Sequence, residues 1–385
     1  MPRLLIDATP VQADAKGVGR YAYNVCLQMA ARIPQDWNMC VLVHNQARHL
    51  FPSDFRGELV CVRQSSEIAH GVFALSSNVK KLGADILLKT FESVGQVRIP
   101  TATICHDIDS LIVAAQGAHR SVFRRSIDAY KHSLRRSALK ASKFVICNSE
   151  FTRAAVQDHY GILRTRTAVA YCAVDPRFCE ISRTVDKDKL RQRYGVRNFV
   201  LTFATGDPRE NFKLLPAIAQ KLKGLGVQTC LLIAGIRKSL PYVVELRARF
   251  AELKLVEGEH FILETFLGAD RFTDLVALYT AADFYLELSL HEGFGMQLAE
   301  AMACGTTCIT SPNGALAEVS GGYGVFIDPT SSESIAATLK ASYDAKLHLR
   351  DNHEQISYTR KFSWDAMGKV VAGALLKLAD KKSCI

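Results

Sequence analysis

The chain has 385 residues, 48% of them hydrophobic and 22% charged, a composition ordinary for a folded globular protein but too long for one core, so two domains are expected. No apolar run approaches the ~18 residues that a membrane span needs, and MPRLLIDATP is too short and too early acidic for a signal peptide, so the expected location is the cytoplasm. The formal charge of +10 points to an anionic partner: phosphate, nucleic acid or an acidic membrane surface.

In chain order, RLLIDAT, MCVLVHN, DILLKT, TATICHD and KFVICNS read as buried strands, with helical patterns such as RYAYNVCLQMAARI between them. The segment at 119–143, HRSVFRRSIDAYKHSLRRSALKASK, carries eight Lys/Arg and one acid, Asp128. Phe123, Ile127, Tyr130 and Leu134 recur there at helical spacing, which predicts an amphipathic basic helix. Its charged face is either simply solvated or docks on anionic lipid headgroups. Residues 1–175 hold 22 Lys/Arg against 14 Asp/Glu, a surplus of 8, and the remainder holds 26 against 24, a surplus of 2. Boundary signals cluster near 175–198. Beyond them NFVLTFATG, TCLLIAG, DFYLELS, TTCITS and GVFIDP read as strands, again alternating with helices. The alternation predicts two doubly wound α/β domains. Eleven cysteines are scattered without metal-ligand spacing and read as reduced core residues.

In open α/β sheets ligands bind beyond the carboxyl ends of the strands. The segments there are polar and glycine-rich: DATPVQADAKGVGR, CHDID, CNSEFT, ATGDPREN, SLHEGFG and SPNGALAE. In SLHEGFGMQLAE, Gly293 and Gly295 open a turn and a helix begins. Its free N–H groups suit a phosphate or sugar hydroxyls. Glu292 before the helix and Glu300 within it, facing one cleft, can grip several ligand hydroxyls. The plainer alternatives are a capping role for Glu292 and a half-exposed helix carboxylate for Glu300.

The run LYTAADFYLELSLHEGFGMQLAEAMACGTTCITSPNGALAEVSGGYGVFIDP resembles the signature region of glycosyltransferase family 4, whose members are retaining enzymes of the two-Rossmann GT-B architecture with an interdomain cleft. GVGRYAYNV, ICHDID, CNSEFTRAAVQDHYGI and FSWDAMGKVVAGAL resemble further elements of that family. The resemblance implies an acceptor-binding domain at 1–180, a nucleotide-sugar-binding domain at 181–363, and a helix over 364–385 that crosses back to the first. By the same resemblance Glu300 holds the nucleotide ribose and Glu292 contacts the donor sugar. Backbone groups of Phe294, Gly295, Met296 and Gln297 hold sugar hydroxyls or diphosphate. Gly17 and Gly19 approach the donor phosphate or the acceptor, and His106 lies near the reaction centre. Neither a cofactor nor a metal is implied, and no protein nucleophile is assigned.

The chain departs from the family where a diphosphate-binding lysine, often with an arginine six residues before it, is expected. Glu210 and Ala204 stand there, leaving Arg209 or Lys213 as replacements. Cys172 and Ala173 also replace an expected Asn-Gly. The expected function is transfer of a sugar from a nucleotide-sugar to a saccharide or a polyprenyl-diphosphate-linked or other anionic acceptor, in surface polysaccharide or lipopolysaccharide assembly at the inner membrane face. The alternative is a catalytically degenerate homologue that only binds. HDID offers an Asp-x-Asp, but the glutamate motif belongs to the metal-independent class. GVGRYA lacks the third glycine of a dinucleotide fingerprint, which argues against a dehydrogenase. No aromatic-interleaved basic platform supports nucleic-acid binding.

Overall fold

Short runs of consecutive apolar residues need cover on both faces, and in the computed structural model every strand pairs in parallel. The structure describes residues 1–12, 17–63, 66–107, 122–237, 240–265 and 271–380, and in the helix that begins at Val122 side chains are described from residue 129. The chain forms two compact units, one of Met1–Ala173 with Phe362–Ile385 and the other of Val174–Lys361.

The first unit holds β1 (Arg3–Asp7), β2 (Asn38–His44), β3 (Glu58–Val62), β4 (Ile86–Lys89), β5 (Thr101–Cys105), β6 (Phe144–Cys147) and β7 (Thr167–Val169), in the order β3-β2-β1-β4-β5-β6-β7. The second holds β8 (Phe199–Phe203), β9 (Cys230–Ile236), β10 (Phe261–Thr265), β11 (Phe284–Glu287), β12 (Thr307–Thr310) and β13 (Val325–Phe326), in the order β10-β9-β8-β11-β12-β13. Both units are therefore Rossmann-like. Three strands have no counterpart in the sequence reading: β3, β7 and β10. β3 and β7 are edge strands of one sheet and β10 of the other; β3 has no buried position, and β7 and β10 are partly half-buried. A half-covered strand does not need the continuous apolar run that marks a central one.

Strand order reverses between β1 and β4 in one sheet and between β8 and β11 in the other. Each reversal leaves a crevice at the carboxyl ends, because the flanking connections leave toward opposite faces. The two crevices are lined by the residues just after Asp7 and Lys89, and just after Phe203 and Glu287.

The helix Trp364–Ala379 belongs to the first unit. It packs against the helix Gly17–Arg32 and against β4 to β7, burying Met367, Val371, Ala372, Ala374, Leu375 and Leu378. Gly368 permits the close approach, since a Cβ there would lie 2.8 Å from the Cβ of Gln28. The basic helix Val122–Ala141 forms, but its buried stripe is not the expected one. Tyr130 is 57% exposed, while Ala138 and Leu139 are buried and Arg135 turns inward to donate two 2.8 Å hydrogen bonds to Glu67. The ion pair rotates the face that a purely apolar pattern predicts. The side chains of Phe123 and Ile127 lie outside the described residues, as do Asp109 and the chain end KKSCI.

Candidate functional site

In the second unit, β11 ends in a carboxylate. Glu287 is buried and accepts from the Tyr285 hydroxyl at 2.6 Å, the Ser289 hydroxyl at 2.7 Å and the Ser289 amide at 3.2 Å. The Ser289 hydroxyl also lies 3.1 Å from Oε1 of Glu292, so Glu287 and Glu292 are joined through one side chain. Gly295 then adopts φ +88° at the start of the helix Met296–Ala303, and a Cβ there would lie 2.5 Å from Leu316. Phe294 is buried; Met296 and Gln297 are half-buried in the first turn. Glu300 is only 5% exposed and accepts from the Tyr279 hydroxyl at 3.2 Å. Burial, and then the neighbouring carboxylates, push the phenols of Tyr279 and Tyr285 well above the ordinary range, so both remain donors. The loop after β12 closes against this turn: Ala315 N–H donates to the Glu292 carbonyl at 2.8 Å.

The loop after β8 joins the same crevice, since the Leu290 amide donates to the Arg209 carbonyl at 2.8 Å. Asp207 caps the short turn Pro208–Glu210 and grips the Arg209 guanidinium, at 2.9 Å from Nη2 and 3.3 Å from Nε. Glu210 turns to Thr205, accepting from its amide and its hydroxyl, both at 2.6 Å. Burial raises the Glu210 carboxyl above its ordinary value, against the two Thr205 bonds, and the charges of Glu287 and Asp207 add to the rise. Lys213 points elsewhere. It is two-thirds exposed and pairs with Glu245 at 3.3 Å. Of the two candidate phosphate cations, only Arg209 sits at the strand-order reversal.

In the first unit, Gly17 begins its helix at φ +40° with open space where a Cβ would stand, and Gly19 is buried one residue pair later. His106 follows β5 and is buried. Its Nε2 lies 2.9 Å from the Thr90 carbonyl, its ring meets Tyr21 edge-on at 4.8 Å, and its amide donates to Glu92 at 3.1 Å. The sequence reading missed the charges beneath it. Asp7, ending β1, accepts from His70 Nε2 at 3.0 Å and from the Thr9 hydroxyl at 2.9 Å. Lys89, ending β4, is buried and donates to the carbonyls of Ser93 and Gly95. Burial lowers the Lys89 ammonium to about 8, against the pull of Asp7, Glu92 and Glu67. The available signal was a charged residue closing an otherwise apolar run, LLID, ILLK and FYLE alike.

Chemically, the second crevice offers carboxylates for hydroxyls, a helix start for oxyanions and the Arg209 guanidinium. Among the described residues no group of three or more His, Cys, Asp or Glu is placed to hold a metal ion.

The family model described as "Glycosyltransferase Family 4" matches residues 15–178, and that described as "Glycosyl transferases group 1" matches 186–362. The serotype-specific mannosyltransferase WbdA of Escherichia coli is 27% identical over 267 residues, 69% of this chain and 32% of that protein. The chain thus spans about a third of the length of that curated relative. Among solved structures, Anabaena Alr3699/HepE in complex with UDP and glucose superposes with a TM-score of 0.71 at 18% identity, covering 98% of this chain and all of that one. WaaG, a glycosyltransferase involved in lipopolysaccharide biosynthesis, gives 0.70 at 20% identity over 96% and 98% of the two chains.

Proposed function

Because the chain belongs to glycosyltransferase family 4 and has the GT-B fold, we propose that it moves a hexose, with retention, from a nucleotide-sugar to a saccharide or lipid-linked acceptor in surface polysaccharide or lipopolysaccharide assembly. The observation that carries the reading is the placement of Glu300 and Glu292 at the β8/β11 reversal, Glu300 accepting from the Tyr279 hydroxyl and Glu292 lying 3.1 Å from the Ser289 hydroxyl. In this reading Glu300 binds the ribose hydroxyls and Glu292 those of the donor sugar. Backbone amides from Phe294 to Gln297, with Arg209, receive the diphosphate. As the glycosidic bond breaks, negative charge grows on the leaving nucleoside diphosphate, and fixed donors at the helix start stabilise it without reorganising. His106 lies near the reaction centre, and the Gly17–Gly19 turn approaches the donor phosphate or the acceptor. No metal takes part. The name of the E. coli relative supports mannose as the first sugar to test, and the UDP–glucose complex supports a nucleotide-sugar donor.

The test is thermal shift of the purified protein with GDP-mannose, UDP-glucose, dTDP- and CMP-sugars, with NAD as control. A ligand at about 100 times its dissociation constant adds roughly 2.7 kcal/mol. One nucleotide-sugar should raise the melting temperature of the wild type and leave Glu300→Ala unmoved. A second reading, a homologue that binds without turnover, is favoured by Glu210 standing where a phosphate-binding lysine is expected and being occupied by Thr205. No stabilisation by any nucleotide-sugar would select it.

A further inference from the structure

We infer that Lys89 is a positioning residue for His106: its buried ammonium ties down the loop after β4, and that loop holds the imidazole in one orientation and one tautomer. The inference deepens the transferase reading and rests on it for the role of His106, but the contacts behind it are separate.

β4 is apolar until its last residue, where Lys89 lies buried in register between Asp7 of β1 and Thr103 of β5. An ammonium has three donors and no acceptor. Here Nζ donates to the Ser93 carbonyl at 2.5 Å and the Gly95 carbonyl at 3.0 Å, and among the described residues it pairs with no carboxylate. An apolar side chain would close β4 without the penalty of burying that charge. What the charge supplies is donors for a loop that runs through the interior. Ser93 and Val94 are buried, and a Cβ on Gly95 would lie 2.0 Å from the Gly71 carbonyl oxygen. Buried carbonyls need partners, and for these two the partner is Lys89.

The same loop reaches His106 twice. The Thr90 carbonyl lies 2.9 Å from His106 Nε2, and the Glu92 carboxylate accepts from the His106 amide at 3.1 Å. A carbonyl only accepts, so the ring carries its hydrogen at Nε2 and keeps Nδ1 as the acceptor. Thr90 is pinned to β1, its amide and hydroxyl donating to the Asp7 carbonyl at 3.2 Å and 2.7 Å. Lys89 pins the Ser93–Gly95 end, and Glu92 stands between the two anchors.

Burial lowers the Lys89 ammonium to about 8 against the pull of Asp7 on β1, Glu92 on the loop and Glu67, while His70 adds a like charge when protonated. The other elements against β4 bring no charge: β5 offers Thr103, and the buried face of the helix Trp364–Ala379 is apolar. Below about 8 the ammonium is charged and its two bonds are charge-assisted. Above it the amine loses a hydrogen and that assistance, and the loop is released.

The test follows the His106 ring nitrogens by NMR in the full chain carrying isotope-labelled histidine, with His106→Gln to assign the signals. In the wild type the hydrogen should sit on Nε2 near neutral pH, and the other tautomer should appear as Lys89 deprotonates near 8. In Lys89→Met both tautomers should be present at every pH. Lys89→Arg, which keeps its charge, should hold the Nε2 form throughout. A wild-type tautomer that does not change through that titration overturns the inference, and this arm needs no variant to fold. So does a tautomer that a folded Lys89→Met leaves as it was. Thermal shift with GDP-mannose and UDP-glucose is run on the same samples. A tautomer that follows Lys89 with no shift from either nucleotide-sugar supports the anchor and removes the transferase reading alone. A shift with His106 indifferent to Lys89 removes the anchor alone. Where a nucleotide-sugar is turned over, release of nucleoside diphosphate by Lys89→Met should show kcat lowered about tenfold or more with the donor KM within about twofold. A raised KM at unchanged kcat overturns the inference.

Discussion

In the proposed transferase, Glu210 is the residue on which donor affinity should turn. A carboxylate at the position of an expected cation repels a diphosphate when ionised, and its burial makes it hold its proton to higher pH than an ordinary glutamate. Nucleoside diphosphate binding should therefore tighten as pH falls through the raised Glu210 value. Glu210→Gln keeps an acceptor for Thr205 and should bind several-fold tighter at pH 8 with a flatter pH profile, as isothermal titration would report. The buried groups of the first unit give a different signature. Burial alone would lower His70, but the hydrogen bond and charge of Asp7 outweigh it and raise it; burial would raise Asp7, but His70 and Thr9 hold it below its ordinary value. The raised histidine contributes stability that is present below its unfolded value of about 6.5 and fades as pH rises through the folded one. The lowered aspartate contributes above about 3.9 and fails in acid. Lys89 has the opposite sign, since its ammonium is penalised in the fold and stability recovers between about 8 and its unfolded value. His70→Ala, which leaves the Asp7 carboxylate buried without its ring partner, should cost about 3 kcal/mol in urea unfolding at pH 6, and less at pH 9.

Loops that follow β11 and β12 are fixed by glycine at two places. Gly314 has φ +64°, and a Cβ there would lie 2.4 Å from the Glu292 carbonyl oxygen and 2.7 Å from its nitrogen. Those atoms are backbone and cannot step aside by changing rotamer. Gly314→Ala should therefore displace Glu292 itself, lowering transferase turnover at least tenfold for a stability loss of about 1–3 kcal/mol. A loss of stability with turnover unchanged would show that the turn only closes the sheet edge. The central elements were readable from sequence because their two-sided burial demands unbroken apolar runs. The placement of Glu292 before a glycine turn and of Glu300 in the helix after it was readable because a strand end, a turn and a helix start are local features, while their roles came only from the family resemblance. Edge strands β3, β7 and β10 were not, because one side of each meets no neighbouring strand and the composition relaxes.

The molecule folds as two units, with the helix Trp364–Ala379 completing the one that begins at Met1. Its buried face is part of that unit's core. Leu375→Ala should cost about 3 kcal/mol, and should lower only the unfolding transition that reports the first unit. Fluorescence of Trp37 and Trp364, both in that unit, follows it directly. By itself the sequence determined the alternation of parallel strands and helices, the glycine turn with its two carboxylates, and the basic excess of the first half, since each is set by spacing along the chain. Only the tertiary structure decided which charges meet. His70 finds Asp7 63 residues away, Lys213 turns to Glu245 instead of the crevice, and Arg135 swings inward to Glu67 and leaves Tyr130 in water. Those choices follow from strand order and helix rotation. They bring distant segments side by side, and the local period of a sequence carries no record of which neighbour it will meet.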